Sequence, residues 1–131
     1  MAEDHLLNIE VARRLLKAKH LEVEVVENGL LAIERFAASP VGYFDAILMD
    51  IRMPVMDGLT ATKSIRQMRK EDAQSIPIVA MTANAFDEDM EHSKTAGMNA
   101  HIAKPIDPEL LYRTLDDFIF RSAEDAAESE A

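Results

Sequence analysis

Apolar positions recur along the chain with two different spacings, and segments of the two kinds alternate. Helices are predicted where apolar residues return every three or four positions, over residues 9–16, 30–38, 59–69, 86–96 and 110–120. Strands are predicted where apolar or β-branched residues run together, over residues 23–26, 43–49, 76–81 and 100–103. The alternation of strand and helix predicts an α/β protein with a doubly wound parallel sheet and right-handed crossovers.

Turn and cap residues lie at several of the predicted boundaries. Asn28-Gly29 and Asp57-Gly58 have the chemistry of turns, and Gly97 suits the position just after a helix. Asp107 can cap the last helix, with Pro108 at its first position. These residues support the predicted order of elements independently of the apolar pattern.

The composition fits a single domain with a full core. The chain has 131 residues, of which 48% are hydrophobic, and the absence of cysteine excludes disulfides and thiolate sites. A net charge of -10 without a basic stripe argues against nucleic-acid binding, and the apolar runs are too short to cross a membrane. We expect a cytoplasmic domain over residues 1–120, followed at 121–131 by an acidic tail or linker, disordered or a frayed helix.

Three polar residues, Asp50, Thr82 and Lys104, each follow the end of a predicted strand. Sites in such sheets lie beyond the carboxyl ends of the strands, so we expect the three to meet at one edge. Together with Glu3 and Asp4, Asp50 would form a carboxylate cluster whose repulsion Mg²⁺ or Mn²⁺ could relieve. A carboxylate, a metal, an ammonium and a hydroxyl are the groups needed to move a phosphoryl group onto an aspartate.

Four motifs, in their order and spacing, resemble the receiver domain of two-component response regulators. They are Ala2-Glu3-Asp4 with Leu7-Asn8, then residues 49–58, 80–85 and 103–106. The resemblance covers residues 2–120 and implies a flavodoxin-like receiver fold. Residues 81–85, MTANA, are similar to receivers of hybrid sensor histidine kinases. The implied partner is a sensor histidine kinase or a histidine phosphotransfer protein, and a homodimer or an exchange of strands is also considered.

The resemblance also implies a metal site around the phosphoacceptor. Asp50 is the implied phosphoacceptor of a phosphorelay. Asp4 would bind Mg²⁺ directly, and Glu3 would bind it directly or through water. Asp50 itself and the backbone carbonyl of Arg52 would complete the protein ligands.

The remaining implied roles concern the transferred phosphoryl group. Thr82 would hydrogen-bond this group and move toward it on activation, and Lys104 would pair with one of its oxygens. The bond from Lys104 to Pro105 is cis in the family. His101 occupies a position usually held by a Tyr or Phe that swings inward when Thr82 moves, and it adds a titratable ring there.

The start of the chain departs from the family pattern. Only Met1 and Ala2 precede Glu3, where a receiver has an apolar strand in the middle of the sheet, between the strands at 23–26 and 43–49. An empty place would leave unpaired backbone groups, each costing about 1–3 kcal/mol. Three outcomes stay open: a truncated or misassigned start with a damaged domain, a shift of the strand at 23–26 to pair beside 43–49, or a strand donated by another chain. In each case we expect weaker Mg²⁺ binding and phosphorylation.

Two other functions compete with phosphate acceptance. One is a non-phosphorylated interaction or dimerisation module that uses the same surface. The other is a phosphatase that forms an aspartyl phosphate, but such enzymes usually carry a second aspartate two residues after the nucleophile, where this chain has Arg52. We therefore expect no enzyme with multiple turnover.

Overall fold

The structure is a computed structural model that describes residues 1–83 and 87–120, with the backbone alone at residues 87–90 and 120. The strands are β1 (Ile47–Asp50), β2 (Ile78–Thr82) and β3 (Ala100–Ala103). The helices are α1 (Leu6–Ala18), α2 (Gly29–Ala38), α3 (Gly58–Arg66), α4 (Asp87–Ala96) and α5 (Pro108–Leu115), which continues into a π-helical turn (Asp116–Phe120). The predicted tail at 121–131, and Asn84, Ala85 and Phe86, lie outside the described residues.

The three strands form a parallel sheet in the order β1-β2-β3, with Ile47 paired to Ile78 and Val79 paired to Ala100. Every residue of β1 and β2 is buried. Alternate strand residues pack on opposite faces, so that one apolar cluster includes α2 and α3 and the other includes α1 and α5. Helices therefore cover both faces, and the predicted doubly wound α/β class is confirmed.

The turn chemistry predicted at the helix starts is confirmed. The carboxylate of Asp57 accepts a hydrogen bond from the N–H of Thr60 at 2.7 Å, and Asp107 caps α5, with Pro108 as its first residue. Gly97 follows α4 with a φ of 109°. Asn28, predicted as a turn residue, caps α2 by accepting from the N–H of Leu31.

Two of the strand predictions need correction. Residues 43–46 do not extend β1, because Tyr43 and Phe44 pack edge-to-face against each other, with centroids 4.8 Å apart, under the guanidinium of Arg35. The strand predicted over 23–26 is wrong: in this segment only Val26 makes a ladder contact, an isolated bridge to Ala2. The helix predicted over 110–120 ends at Leu115 and widens into the π-helical turn.

The first three residues lie in the middle place of the sheet, where the sequence lacks the apolar strand of the family pattern. Ala2 donates to the carbonyl of Leu48 at 2.8 Å and accepts from Asp50 at 3.0 Å, while Glu3 donates to the carbonyl of Val26 at 3.0 Å. Because these residues separate Val26 from β1, the proposed shift of the 23–26 segment onto β1 is wrong. The remainder of this place is a cavity of about 370 Å³.

In the part of the chain that is described, none of the helices combines the length and the apolar character needed to cross a bilayer.

Candidate functional site

The carboxyl ends of the three strands bring the polar residues of the sheet edge together. Asp50 ends β1 and pairs with Met81, and Thr82 ends β2 and pairs with Ala103. The N–H of Lys104 donates to the carbonyl of Thr82 at 2.8 Å, which fixes Lys104 one residue beyond β3. Parallel pairing thus places Asp50, Thr82 and Lys104 at one edge of the sheet.

Lys104 holds two buried carboxylates. Its Nζ lies 2.9 Å from Oδ2 of Asp50, and 3.0 Å and 3.2 Å from the two carboxylate oxygens of Glu3. Asp50 is 3% exposed and Glu3 is fully buried. Burial by itself lowers the pKa of Lys104, but its hydrogen bonds to Asp50 and Glu3 outweigh that effect, and the net shift is upward.

Glu3 and Asp50 together can bring more negative charge into the pocket than the single ammonium of Lys104 neutralises. Burial and the neighbouring Asp50 raise the pKa of Glu3 from 4.5 to about 7, although Lys104 and Asn8 act in the opposite direction. A carboxyl with this pKa is partly protonated at neutral pH. The pocket therefore favours the arrival of a further positive charge.

A divalent cation fits the oxygens at this edge. Glu3, Asp4 and Asp50 each offer a carboxylate oxygen, and these atoms lie within 4.8 Å of one another. Asp4 is exposed while the other two are buried, so the cluster opens toward solvent. The N–H of Arg52, in the loop after β1, donates to Oδ1 of Asp50 at 3.3 Å. An all-oxygen, acidic donor set is typical of Mg²⁺ sites.

The start of α3 is pressed against the end of β1. The N–H of Gly58 donates to the carbonyl of Ile51 at 2.9 Å. A methyl group on Gly58 would overlap the carbonyl oxygen of Asp50 and lie 2.9 Å from its carbonyl carbon. Glycine is thus required here for close approach, a role that the turn prediction for Asp57-Gly58 did not foresee.

Thr82 and His101, the two other residues expected to respond to the phosphoryl group, lie in different surroundings. Thr82 is buried at the end of β2. His101 is on β3, and its Nε2 shares a short hydrogen bond with Oγ of Ser93 on α4. Burial, followed by the charge of Lys94, lowers the pKa of His101. The Lys104-Pro105 peptide bond is cis.

Asn8 is a site residue that the sequence reasoning missed. Its side-chain amide donates to Oε1 of Glu3 at 2.5 Å from the first turn of α1. The sequence did carry a signal for Asn8, because Asn8 belongs to the first motif. The distance from Asn8 to Glu3, however, depends on the direction in which α1 leaves residues 1–3. Asn8 and Lys104 together fix the orientation of the Glu3 carboxylate.

Comparisons with known proteins all indicate the same family. The model of the response regulator receiver domain matches residues 1–116. The chain is 40% identical to hybrid signal transduction histidine kinase M of Dictyostelium discoideum, over 92% of this chain and 5% of that protein. It is 38% identical to the signal transduction histidine-protein kinase BarA of Escherichia coli K12, over 86% of this chain and 12% of that protein. The chain thus spans only a small part of these kinases.

A solved structure agrees with this chain in fold. The receiver domain of a sensor histidine kinase from Pseudomonas aeruginosa PAO1, with magnesium coordinated in its active site cleft, superposes with a TM-score of 0.80. The two are 38% identical, and the alignment covers 90% of this chain and 93% of that one. From its motifs, its fold and the family match over residues 1–116, this chain belongs to the response regulator receiver domain family.

Proposed function

We propose that this chain accepts a phosphoryl group on Asp50 from a phosphohistidine of a sensor histidine kinase or a histidine phosphotransfer protein, and that it signals through protein contact. The observation that carries the proposal is the Asp50 carboxylate, buried and held 2.9 Å from the ammonium of Lys104 at the edge of an acidic cluster. The relatives of this chain among hybrid histidine kinases support a role in a phosphorelay.

The protein groups that the transfer step uses lie at this edge of the sheet. An oxygen of the Asp50 carboxylate attacks phosphorus as the N–P bond of the phosphohistidine breaks. The electron pair of that bond stays on the ring, whose other nitrogen carries a proton, so that neutral imidazole departs. The ammonium of Lys104 is close enough to move from Asp50 to an oxygen of the transferred group. The hydroxyl of Thr82 would contribute a hydrogen bond at the neighbouring strand end.

A divalent cation is part of the proposal. Glu3, Asp4, Asp50 and the carbonyl of Arg52 would hold Mg²⁺ or Mn²⁺, and the ion would offset negative charge on the phosphoryl oxygens. The geometry supports this assignment, because Glu3 and Asp50 are two buried carboxylates that share the single ammonium of Lys104. The magnesium in the Pseudomonas receiver supports it from a related chain.

The surface near the site suits contact with another protein. Leu6 and Leu7, directly after the acidic pair, are 74% and 73% exposed, and Val55, in the loop after Asp50, is 78% exposed. Large apolar side chains of this kind on a surface next to a reactive group are typical of a protein interface. We assign this surface to the phosphohistidine-bearing partner.

Asp50 is proposed to be a stoichiometric acceptor and not part of a turnover enzyme. The position two residues later, where an aspartyl-phosphate phosphatase usually places an acid, is Arg52. A steady release of alcohol from phosphomonoesters, dependent on Asp50, would contradict this part of the proposal.

The proposal is tested with phosphoramidate, a small donor with an N–P bond, in the presence of Mg²⁺. Intact-mass measurement is expected to show a gain of one phosphate on the parent chain and none on Asp50→Asn. Asp45→Asn, an exposed position just before the same strand, serves as the matched control and is expected to behave like the parent. A folded parent chain that gains no phosphate would favour the non-phosphorylated interaction module.

A further inference from the structure

The second half of α4 is attached to the sheet by small side chains. The structure describes the side chains of α4 over residues 91–96, and of these only Ser93 and Ala96 are buried. The others are exposed, namely Glu91, His92, Lys94 and Thr95. A hydroxymethyl and a methyl group bury little apolar surface, so hydrophobic burial by these side chains contributes little to the attachment. A polar contact can therefore decide how this end of the helix sits.

Ser93 makes such a polar contact with His101 on β3. The Nε2 of His101 shares a hydrogen bond with Oγ of Ser93, which is fully buried. Ile102, the next residue of β3, packs in the apolar cluster that includes α5. Alternation along the strand therefore turns His101 to the opposite face of the sheet, where it meets α4. The hydrogen bond thus joins the sheet to the helix.

His101 shares its face of the sheet with Thr82. In the parallel register of β2 and β3, Ala80 pairs with His101 and Thr82 pairs with Ala103. Paired residues of neighbouring strands lie on one face, and so do residues two positions apart along a strand. Thr82 and His101 are therefore diagonal neighbours, one at the strand end beside the phosphoacceptor and the other in contact with α4.

The contact with Ser93 restrains the His101 ring. Burial, followed by the charge of Lys94, lowers the pKa of His101 below its ordinary value of 6.5, so the ring is neutral at neutral pH. In a neutral imidazole one nitrogen donates and the other accepts, and a serine hydroxyl can partner either of them. Turning the ring away would take this partner from a nitrogen in a partly buried place. A Tyr or Phe ring has no nitrogen, so the restraint depends on the histidine.

We propose that Ser93 is a positioning residue that fastens the His101 ring to α4, so that ring and helix move as one unit when a phosphoryl group on Asp50 attracts Thr82. The trigger of this movement rests on the proposed function, whereas the fastening does not. The hydrogen bond transmits a displacement because breaking it would leave the ring nitrogen without its partner in a place shielded from water. The position of α4 and of its exposed residues then depends on the state of Asp50.

The fastening is tested on the unphosphorylated full chain by hydrogen exchange of individual amides in the last turn of α4. Ser93→Ala and His101→Phe each remove one partner of the hydrogen bond, and each is expected to speed this exchange by about fivefold. The double variant is expected to match the single variants, because either substitution alone already breaks the bond. Unchanged protection of the amides in β1 shows that each variant is folded.

Thr95→Ala is the matched control for this experiment. Its hydroxyl lies on the exposed side of the same helix and donates to the carbonyl of Glu91 at 2.9 Å. Its loss is expected to change the exchange less than about twofold. Effects of Ser93→Ala and His101→Phe that add in the double variant, or that are no larger than the effect of Thr95→Ala, would overturn the proposal.

The joint movement is tested with phosphoramidate and Mg²⁺, and the intact mass reports the phosphate separately. In the phosphorylated parent chain, the NMR signals of the His101 ring are expected to shift, and exchange in the last turn of α4 is expected to change by about threefold or more. In phosphorylated Ser93→Ala the ring signals are expected to shift, while exchange in α4 changes less than about twofold.

An equal change of exchange in α4 in both phosphorylated proteins, or no change in the phosphorylated parent, would overturn the proposal. A parent chain that gains no phosphate would contradict the proposed function of Asp50. The comparison of single and double variants, which needs no phosphate, would then still decide whether Ser93 fastens His101 to α4.

Discussion

Lys104 and Asp50 form an ion pair of 2.9 Å across 54 positions of sequence, and the same ammonium binds Glu3 from 101 positions away. A single cation is therefore shared by two carboxylates that are almost fully buried. The pair depends on β1, β2 and β3 ending in register, and on residues 1–3 joining the sheet beside β1. The ion pairs of Lys104 therefore form only when the fold brings these strand ends together.

Removing the cation is expected to destabilise the fold strongly. Lys104→Met keeps most of the stem but leaves Glu3 and Asp50 buried and uncompensated, which should lower the free energy of unfolding by about 3 kcal/mol. Urea unfolding at pH 8, with a chelator present to remove divalent cations, measures the free energy of unfolding. Lys63→Met, at an exposed position of α3, is the control and should change stability by less than about 0.5 kcal/mol. A similar small change for both variants would show that the ion pairs contribute little.

Magnesium binding is expected to depend on the exposed member of the acidic cluster. Asp4→Asn removes one charged ligand without touching the contacts of Lys104, and should weaken Mg²⁺ binding at least about tenfold, or about 1.4 kcal/mol. Isothermal titration at pH 8 measures the affinity. Glu10→Gln, exposed on α1, should bind like the parent. Equal affinities for all three proteins would place the metal elsewhere.

The raised pKa of Glu3 predicts a specific dependence of stability on pH. The folded-state pKa is about 7 and the ordinary value is 4.5, so the folded chain binds more protons than the unfolded chain between these values. The stabilisation is fully present below about pH 4.5 and is lost as the pH rises through 7. Between pH 5.5 and 8 without metal, the parent should lose about 2 kcal/mol of unfolding free energy relative to Glu3→Gln.

Using the difference between these two proteins removes the contribution of the N-terminus. Burial lowers the pKa of the Met1 amino group from 8.0 to about 6, so its stabilising effect has the opposite sign and grows as the pH rises through this range. The parent chain and Glu3→Gln both keep the Met1 amino group, so its effect cancels in the difference between them. Stability curves that run parallel from pH 5.5 to 8 would contradict the assignment of Glu3.

Close packing between α3 and β1 predicts a cost for a single methyl group. Gly58→Ala forces the backbone at Asp50 to shift, and should destabilise the chain by about 1–3 kcal/mol and slow phosphorylation of Asp50. Gly42→Ala is the comparison, because Gly42 has a φ of 80° but no atom within 4 Å of the added methyl. It should cost stability through backbone conformation alone and leave phosphorylation unchanged. Equal phosphorylation rates for both variants would exclude crowding at Asp50.

The site was largely predictable because topology alone brings strand ends together. Asp50, Thr82 and Lys104 each follow an apolar run, and parallel pairing then fixes them at one edge. Caps at Asp57 and Asp107 were predictable for a local reason, since a side-chain oxygen needs only the N–H groups of the next turn.

Features that depend on tertiary packing were not predictable. Tyr43 and Phe44 have the apolar character of a strand, but they lie outside the sheet because they pack edge-to-face on each other and against Arg35. Ala2 could enter the middle of the sheet because it pairs with Val26 and Met49 at once, and neither contact has a local signal.

The central claim is that Asp50 itself carries the phosphate, and mapping the acyl phosphate tests it most directly. After reaction with phosphoramidate and Mg²⁺, borohydride reduces a phosphorylated aspartate to homoserine, and tandem mass spectrometry locates the changed residue. The account predicts homoserine at position 50 of the parent chain and at no other position. Homoserine at Asp4, Asp45 or Asp57 with position 50 unchanged would contradict it.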